Sequence, residues 1–536
     1  MRFARTLVVG WLVGLALAAA GCFAVLDFSG YTTGDAPGSF PGGDGSANDA
    51  FQIALDRTEL TLSRGDTVDI TLSTTRSKGF AGALALSLTG AEGQVTGVFD
   101  HALLGADQSS TRLTLTLGAT LTAPMDVDAR VRATSGALGA EAPLRLHPMP
   151  PSGSPDLALG PDGTATIPIG GETTVYGLAF GADGAIVIGG DLAIGARLVP
   201  LVVRLTPDGH PDPAFGDGGA FALTDPKAGD ASTRAVAVQT DQAIVAFAGR
   251  PPSVTQSLLY RLAGHATRDA AFGSGGILSL PDPGTGAEGC GLALGSDDAS
   301  YVLLLTTLAG SDPQLVVEGR ASNGAARASF GTNGVATLPF GMKPEGCGSI
   351  LALEDGRTVV AGQEKLARGL VARLYEDGGL DPTFGDPGST IYTGPRGNTD
   401  LLEPHGLAVD GDRILVLSSR ASTAELEVLR LLPNGLPDVT FHGTGTLESP
   451  TDESGSAGKI AVDRSHRVVT MGRPAKQIGR LVIRRIDENG NYDATFAGTG
   501  VLSVDATRGA LGIQPDGKIV VAHGSPAGVV VHRWYP

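Results

Sequence analysis

The sequence predicts an all-β protein in which a β-sandwich precedes a seven-bladed β-propeller. The main observation is a repeat of roughly 55 residues that runs through the C-terminal two-thirds of the chain. Its clearest mark is one phenylalanine in a similar short context, found at Phe215, Phe272, Phe330, Phe384, Phe441 and Phe496. A degenerate seventh copy opens the series at residues 155–160. Such a period indicates units that bury their faces only against neighbouring units.

Each repeat carries four strand signals, the number of strands in one propeller blade. In the last repeat, an apolar run over residues 510–513 is followed by the hairpin corner Gln514-Pro-Asp-Gly and by two further apolar runs. Residues 164–169 form a strand signal without a blade of its own, and the last blade lacks its outermost strand. We therefore predict that 164–169 pair with 529–534, which would close the ring and remove two exposed edges.

The repeats resemble the delta-60 repeat family of bacterial propellers across residues 155–536. The resemblance is closest at 380–385 and 513–522. It implies a propeller fold and a location in the cell envelope, and it implies no particular chemistry.

Residues 51–148 alternate apolar and polar side chains over five short runs, which is typical of strands in a β-sandwich. These runs are 59–62, 68–72, 84–88, 113–117 and 127–131. The segment resembles bacterial immunoglobulin-like envelope domains at residues 62–67 and 78–80. It has no pair of cysteines for a disulfide between its sheets.

The first residues have the pattern of an export signal. Arg2 and Arg5 precede an apolar run from Leu7 to Ala20 that ends in Ala19-Ala20-Gly21-Cys22. This ending resembles a bacterial lipobox, which implies a signal peptide over 1–21 and a diacylglycerol on Cys22. The alternative is an ordinary signal peptide that is cut nearby. A second acyl chain would make the anchor durable.

The residues after Cys22 indicate where the anchor lies and how the folded part is attached. Phe23 occupies a position where lipoprotein sorting signals for the inner membrane often have aspartate, so the resemblance favours the outer membrane. Residues 22–50 are rich in Gly, Ser, Asp and Pro and predict a flexible linker.

The formal net charge of −17 argues against nucleic acid as a partner, because binding a polyanion needs a cationic surface. An acidic surface is consistent with solubility and with weak calcium binding. The sequence indicates no other cofactor. We expect a monomer that contacts the membrane only through its lipid anchor.

Two polar residues recur with the repeat, and a residue present in nearly every blade is expected to stabilise the blade. The third strand carries Arg204, Arg261, Arg320, Arg373, Arg430, Arg485 and Arg533, and a nearby position carries Asp156, Asp212, Asp269, Asp381, Asp438 and Asp493. We predict that many of these arginines pair with the aspartates or with turn carbonyls. Arg327 replaces the aspartate in one repeat and should interrupt the pattern there.

Cys290 and Cys347 lie in matching Glu-Gly-Cys-Gly contexts at the start of innermost strands in adjacent blades. A disulfide between them is permitted outside the cytoplasm and would contribute about 2–4 kcal/mol. Two buried free thiols are the alternative. A zinc site is not expected, because no pair of histidines lies nearby in the sequence.

Loops that vary between repeats are the expected place for binding on a rigid scaffold. The predicted binding face at the mouth of the propeller contains Glu288, Glu345, Arg396, Asp400, Glu403, His405 and Arg508. The alternative is that these are ordinary solvated loop charges.

Two function classes follow from the sequence. The favoured one is a noncatalytic envelope module that presents the propeller to a protein or a glycan. The alternative is a lyase or hydrolase that uses His405, Glu403 and Arg396 around a cation. Specific catalytic motifs such as a nucleophile elbow or a metalloprotease helix are missing from the sequence.

Overall fold

The computed structural model describes residues 50–65, 67–118, 126–224, 230–249, 257–280, 288–307, 312–364, 368–385, 388–392, 402–420, 425–449, 458–474 and 479–536. The chain is all-β in these residues, with two short 3-10 turns at Pro161–Gly163 and Phe496–Gly498. The described part of the chain contains no helix with the length and hydropathy needed to cross a membrane.

The N-terminal strands form a sandwich of two sheets that share one apolar core. One sheet has the order β1-β3-β7-β5 and the other β2-β9-β8-β4-β6. Apolar side chains of both sheets are buried together, among them Leu72, Leu115, Val131 and Leu144. The strands are β1 Phe51–Leu55, β2 Glu59–Ser63, β3 Thr67–Arg76, β4 Leu84–Thr89, β5 Val95–Phe99, β6 Leu103–Leu104, β7 Ser110–Leu117, β8 Val127–Ser135 and β9 Leu138–Met149.

The described residues between 164 and 534 form seven four-stranded antiparallel sheets, which together make a β-propeller. Sheet 1 contains β11 Thr173–Phe180, β12 Ile186–Ile194, β13 Arg197–Leu205 and β14 Ala220–Ala222. Sheet 2 contains β15 Ser232–Val238, β16 Ile244–Gly249, β17 Leu258–Leu262 and β18 Ile277–Ser279. Sheet 3 contains β19 Glu288–Leu294, β20 Ser300–Thr307, β21 Pro313–Arg320 and β22 Val335–Thr337. Sheet 4 contains β23 Met342–Ala352, β24 Thr358–Glu364, β25 Gly369–Leu374 and β26 Ser389–Tyr392. Sheet 5 contains β27 Leu402–Asp410, β28 Arg413–Arg420, β29 Leu426–Leu431 and β30 Thr446–Glu448. Sheet 6 contains β31 Lys459–Val462, β32 Val468–Gly472, β33 Leu481–Ile486 and β34 Val501–Val504. Sheet 7 contains β35 Ala510–Ile513, β36 Ile519–Ser525, β37 Gly528–Trp534 and β10 Thr164–Pro168.

The sheets close into a ring. The innermost strand of each sheet contacts the innermost strand of the next, and β35 of sheet 7 contacts β11 of sheet 1. Sheet 7 takes its outermost strand from the N-terminal side of the ring, because β10 pairs antiparallel with β37 and places Ile167 opposite Val529. The predicted pairing of residues 164–169 with 529–534 is confirmed.

The core of the ring lies between the sheets. Each apolar cluster joins two consecutive sheets, and the cluster that joins sheets 7 and 1 contains Val531 and Val203. The repeated phenylalanines are fully buried in six of these clusters. Leu159, from the degenerate first copy, packs in the seventh. Burial of both faces of each sheet therefore depends on its neighbours.

The repeated phenylalanine packs against a glycine in the corner after the third strand of the next sheet. Phe384 packs against Gly435, which has a φ of 80°. The residue after Phe384 donates its backbone N–H to the Asn434 carbonyl in the same corner, at 2.8 Å. Phe330 with Gly378 and Phe441 with Gly490 repeat this contact. Glycine is required there because the left-handed backbone and the close contact both exclude a side chain.

The repeated arginines pair with the repeated aspartates. Ion pairs join Arg204 to Asp212, Arg261 to Asp269, Arg373 to Asp381, Arg430 to Asp438, Arg485 to Asp493 and Arg533 to Asp156. Burial alone would raise the pKa of Asp381, but hydrogen bonds from Thr383, Tyr375 and Arg373 hold that pKa well below its ordinary value.

Several of these arginines also connect one sheet to the next. Arg373 donates to the Pro433 carbonyl, Arg430 to the Glu488 carbonyl and Arg533 to the Pro207 carbonyl, each in a corner of the following sheet. Arg533 belongs to sheet 7 and Pro207 to sheet 1, so this contact spans the closure of the ring. The guanidinium is suited to the task because it has five donors in a rigid plane.

The third sheet departs from this pattern, where Arg327 replaces the aspartate. Arg320 pairs instead with Glu318 on its own strand, a carboxylate that is fully buried. Arg327 pairs with Asp297 and, at 3.0 Å, with Glu376. A buried positive charge thus still has a carboxylate partner in this sheet, from a different sequence position.

We predict that Gly435→Ala destabilises the propeller more than Gly170→Ala. Both glycines have almost the same φ, 80° and 82°, so each alanine should cost about 1 kcal/mol of backbone strain. An added Cβ at Gly435 would lie 2.7 Å from the Gly385 nitrogen and 3.1 Å from Phe384 Cδ1, whereas nothing lies within 4 Å at Gly170. The overpacking should add about 1–3 kcal/mol, measured as the shift in the urea unfolding midpoint. Equal shifts for the two variants would contradict the packing argument.

Candidate functional site

The innermost strands of sheets 1 to 5 share a β-bulge of one residue. The register shifts by one residue at the same place in β11, β15, β19, β23 and β27. A bulge inserts one extra residue and redirects its side chain, and bulges are common next to functional sites. The bulged residues are Tyr176, Arg234, Cys290, Gly348 and His405. One repeated backbone position therefore presents five different residues around the axis of the ring.

Tyr176 lies between two arginines from the neighbouring sheets. The guanidinium carbon of Arg234, on sheet 2, lies 4.4 Å from the centre of the Tyr176 ring. Arg508, on the connection that leads into sheet 7, lies 6.0 Å from the same ring centre. Both distances fit cation–π contacts, which hold the two guanidinium groups beside the ring without neutralising their charge.

Lys459 adds a third cation on the other side of the axis. It is the first residue of β31 in sheet 6. Burial lowers the pKa of the Lys459 ammonium, and the positive charge of Arg234 lowers it further. Arg234 lies on the innermost strand of sheet 2 and Lys459 on that of sheet 6, so both belong to strands that surround the axis.

His405 is the bulged residue of sheet 5 and lies next to this group. Its Nε2 is 2.6 Å from the Ser419 hydroxyl. Burial lowers the pKa of His405 to about 4, with a further contribution from Lys459. His405 is therefore neutral at pH 7, and it can exchange hydrogen bonds without adding to the positive charge. We call Tyr176, Arg234, His405, Lys459 and Arg508 the axial cluster.

The three cations of the axial cluster differ from the repeated arginines in having no carboxylate partner among the residues that the structure describes. Within the described residues, Arg234, Lys459 and Arg508 form no salt bridge. The protein as a whole has a net charge of −17. A small region of positive charge, unpaired within the described part of the chain, thus lies on the axis of an acidic molecule.

Two carboxylates precede the bulges on the same strands. Glu403 pairs with Ser419 and Glu288 with Leu305, each two residues before the bulged residue of its strand. Glu288 is exposed and Glu403 is half-buried. These two residues place acidic groups toward the start of the innermost strands of sheets 3 and 5.

The structure brings only part of the predicted binding face into the axial cluster. His405 and Arg508 belong to it, and Glu403 and Glu288 lie on the same strands. Arg396 and Asp400, together with the side chain of Glu345, lie outside the described residues.

Sequence reasoning missed Tyr176, Arg234 and Lys459. A signal was present in the repeated runs Tyr176-Gly-Leu-Ala and Arg234-Ala-Val-Ala, in which a small residue, an aliphatic residue and alanine follow the site residue, and Lys459 directly precedes Ile460-Ala461.

Cys290 is the bulged residue of sheet 3 and is disulfide-bonded. Cys347 pairs with Gly362 in sheet 4, and the bulged residue there is the following one, Gly348. The two cysteines have matching sequence contexts but occupy successive positions of the strand register. The side chain of Cys347 lies outside the described residues, as does Cys22.

No group of three or more His, Cys, Asp or Glu side chains is arranged to hold a metal ion in the part of the chain that the structure describes.

Comparison with known proteins supports the propeller fold. Residues 181–215 match a family described as a β-propeller domain of unknown function, DUF5122. This segment contains β12 and β13 of sheet 1. A comparison with curated proteins found no match.

Several solved structures are similar at low identity. The β-propeller domain of Cps50 (Swd1) from Myceliophteria thermophila is 12% identical, with 58% of this chain and 96% of that one covered and a TM-score of 0.32. An ulvan lyase of polysaccharide lyase family PL25, bound to -[GlcA(1-4)Rha3S]-, is 11% identical, with coverage of 68% and 95% and a TM-score of 0.35. Domains 4 and 5 of the S-layer protein SbsC are 18% identical with a TM-score of 0.15, and the match spans half the length of that structure and 18% of this chain.

We predict that Lys459→Met raises the pKa of His405, because it removes the positive charge that opposes protonation. In the wild type the folded pKa of about 4 lies below the ordinary value of 6.5. The unfolded chain therefore binds this proton first as the pH falls, and the contribution of His405 to stability is lost between about pH 6.5 and pH 4. Histidine NMR titration of the folded protein measures the pKa directly. Lys518→Met, far from His405, is the control, and an unchanged His405 titration in Lys459→Met would contradict the predicted proximity.

Proposed function

We propose that this protein is a noncatalytic binding protein of the bacterial cell envelope, anchored by a lipid on Cys22 and placed at the outer membrane. The support is the arginine-flanked apolar run that ends in Ala19-Ala20-Gly21-Cys22. The signal peptide over 1–21 lies outside the described residues, as does the linker over 22–50 except for Ala50. In this proposal the linker and the sandwich hold the propeller away from the membrane, where it binds an envelope protein or a glycan.

The proposal extends to the finer description of both domains. The propeller is seven-bladed and built from repeats of the delta-60 type, which is supported by the seven described sheets and by the contact between β35 and β11. The N-terminal domain is immunoglobulin-like. Its support is the two-sheet sandwich with β1, β3, β7 and β5 packed on the second sheet.

The axial cluster is the proposed binding site. This assignment rests on a contrast between two kinds of cationic side chain in one ring. The arginines that repeat in every sheet are paired with carboxylates, as Arg373 is with Asp381, whereas Arg234, Lys459 and Arg508 do not repeat and have no such partner among the described residues. Unpaired charges do not stabilise the fold, and their convergence from separate sheets is expected where a ligand supplies the opposite charge.

An enzyme is the second candidate, and His405 is the observation that favours it. A neutral histidine beside cationic side chains could accept a proton from a bound anionic substrate, as a lyase requires. Among the described residues it is hydrogen-bonded to the hydroxyl of Ser419 and to no carboxylate that would orient it. We favour binding without catalysis because, apart from Ser419, no side chain that could transfer a proton is hydrogen-bonded to His405 among the described residues.

A disulfide between Cys290 and Cys347 is part of the proposal. Cys290 is disulfide-bonded, and the sequence holds only two other cysteines, Cys22 and Cys347. Cys347 lies on β23, which contacts the strand of Cys290, and lipidation would leave Cys22 without a thiol. Denatured, unreduced protein should therefore show no free thiol at Cys290 or Cys347, and a reductant should release two. Peptide mapping that finds either thiol free would contradict the bridge.

The binding site is tested by capture from an envelope extract. Full-length protein in detergent is immobilised as wild type, as Arg234→Ala/Arg508→Ala, and as the matched control Arg464→Ala, which changes an exposed arginine in a corner of sheet 6. Bound proteins and carbohydrates are then quantified. We expect the control to recover the wild-type set and the double variant to lose its main component. Equal recovery by all three would remove the axial cluster as the site.

A further inference from the structure

We propose that the ligand of the axial cluster is an acidic glycan, held through carboxylate or sulfate groups on its sugars. This inference rests on the proposed function, since it names the ligand class for the same site.

The anionic part of the ligand follows from the charge of the cluster. Arg508 shares the Tyr176 ring with Arg234, and Lys459 begins the innermost strand of sheet 6 on the same axis. One oxyanion near the axis would therefore meet more than one cation. Pairs between oxyanions and guanidinium or ammonium groups form the stronger class of hydrogen bond, and they strengthen where water is displaced.

The positions of the cations restrict the shape of the ligand. Arg234 is the extra residue of a bulge on an innermost strand and is half-buried, and Lys459 is half-buried at the start of another innermost strand. The broad surface of a folded protein would meet the rim of the ring first. An extended chain or a chain end is able to reach these groups.

A carboxylate on the strand of His405 favours a sugar over other polyanions. Glu403 lies two residues before His405 on the same strand and accepts hydrogen bonds without donating any. A ligand that presents only anionic oxygens would be repelled there. A uronic acid or a sulfated sugar carries hydroxyl donors around each anionic group, so that it can satisfy Glu403 and the cations together.

The test uses fluorescently labelled oligosaccharides of equal length and measures binding by anisotropy with the full-length protein. The probes are a galacturonate hexamer, the same hexamer with its carboxylates methyl-esterified, and a sulfated galactose hexamer. We expect one or both acidic glycans to bind and the ester to bind at least about tenfold more weakly, because it lacks the charge. Raising the ionic strength should weaken the acidic complexes.

Variants place the binding at the axial cluster. Arg234→Ala and Arg508→Ala should each weaken the acidic glycan about tenfold or more, whereas Arg464→Ala should leave it unchanged. Arg508 is exposed on a connection rather than in a strand, so this variant remains informative if Arg234→Ala fails to fold.

Hexaglutamate separates a glycan from an acidic peptide. Binding of hexaglutamate as tightly as the acidic hexamers would overturn the assignment to a glycan. If no acidic glycan binds, but capture from the envelope extract still depends on Arg234 and Arg508, this inference is overturned and the proposed function stands. If neither glycan binding nor capture depends on these residues, the axial cluster is not the binding site.

Discussion

Burial between neighbouring sheets is the constraint on which the propeller depends. Each four-stranded sheet has two apolar faces, and every core cluster of the ring is shared by two consecutive sheets. The polar residues of the repeat stabilise the same junctions. The guanidinium of Arg373 joins Asp381 in its own sheet to the Pro433 carbonyl in the next, while Phe384 packs on Gly435. Residues that repeat are thus needed for the junctions, and positions that do not repeat are free to vary.

The sequence was sufficient to predict the all-β class, the four strands of each repeat and the partner of residues 164–169. These predictions succeeded because hydrophobic period, hairpin corners and the spacing of phenylalanine are local signals. The bulges could not be read in this way, since the register shift at Tyr176 is visible only in the pairing of β11 with β12. The grouping of Arg234, Lys459 and Arg508 on innermost strands and their connections around one axis depends on ring closure, and no local pattern reports which distant strands face each other.

The same limit explains the mixed outcome for the predicted binding face. Loop charges were chosen because loops vary, and this reasoning found His405 and Arg508. Arg234 lies inside a strand, so a choice confined to variable loops did not include it. A scaffold arginine and a site arginine differ in their partner: Arg430 pairs with Asp438, whereas Arg234 contacts the ring of Tyr176. Only the three-dimensional arrangement reveals that partner.

The pairing of β10 with β37 affects the order in which the molecule can be assembled. Thr164 and His532 are in contact although 368 residues separate them. During synthesis, β10 is made before every other strand of the ring but cannot acquire its partner until the last sheet has emerged. Contacts of such high contact order slow folding and leave an edge strand open to wrong partners in the meantime. Because no peptide bond links the two strands, this seam is also where the finished ring can open without any break in the chain.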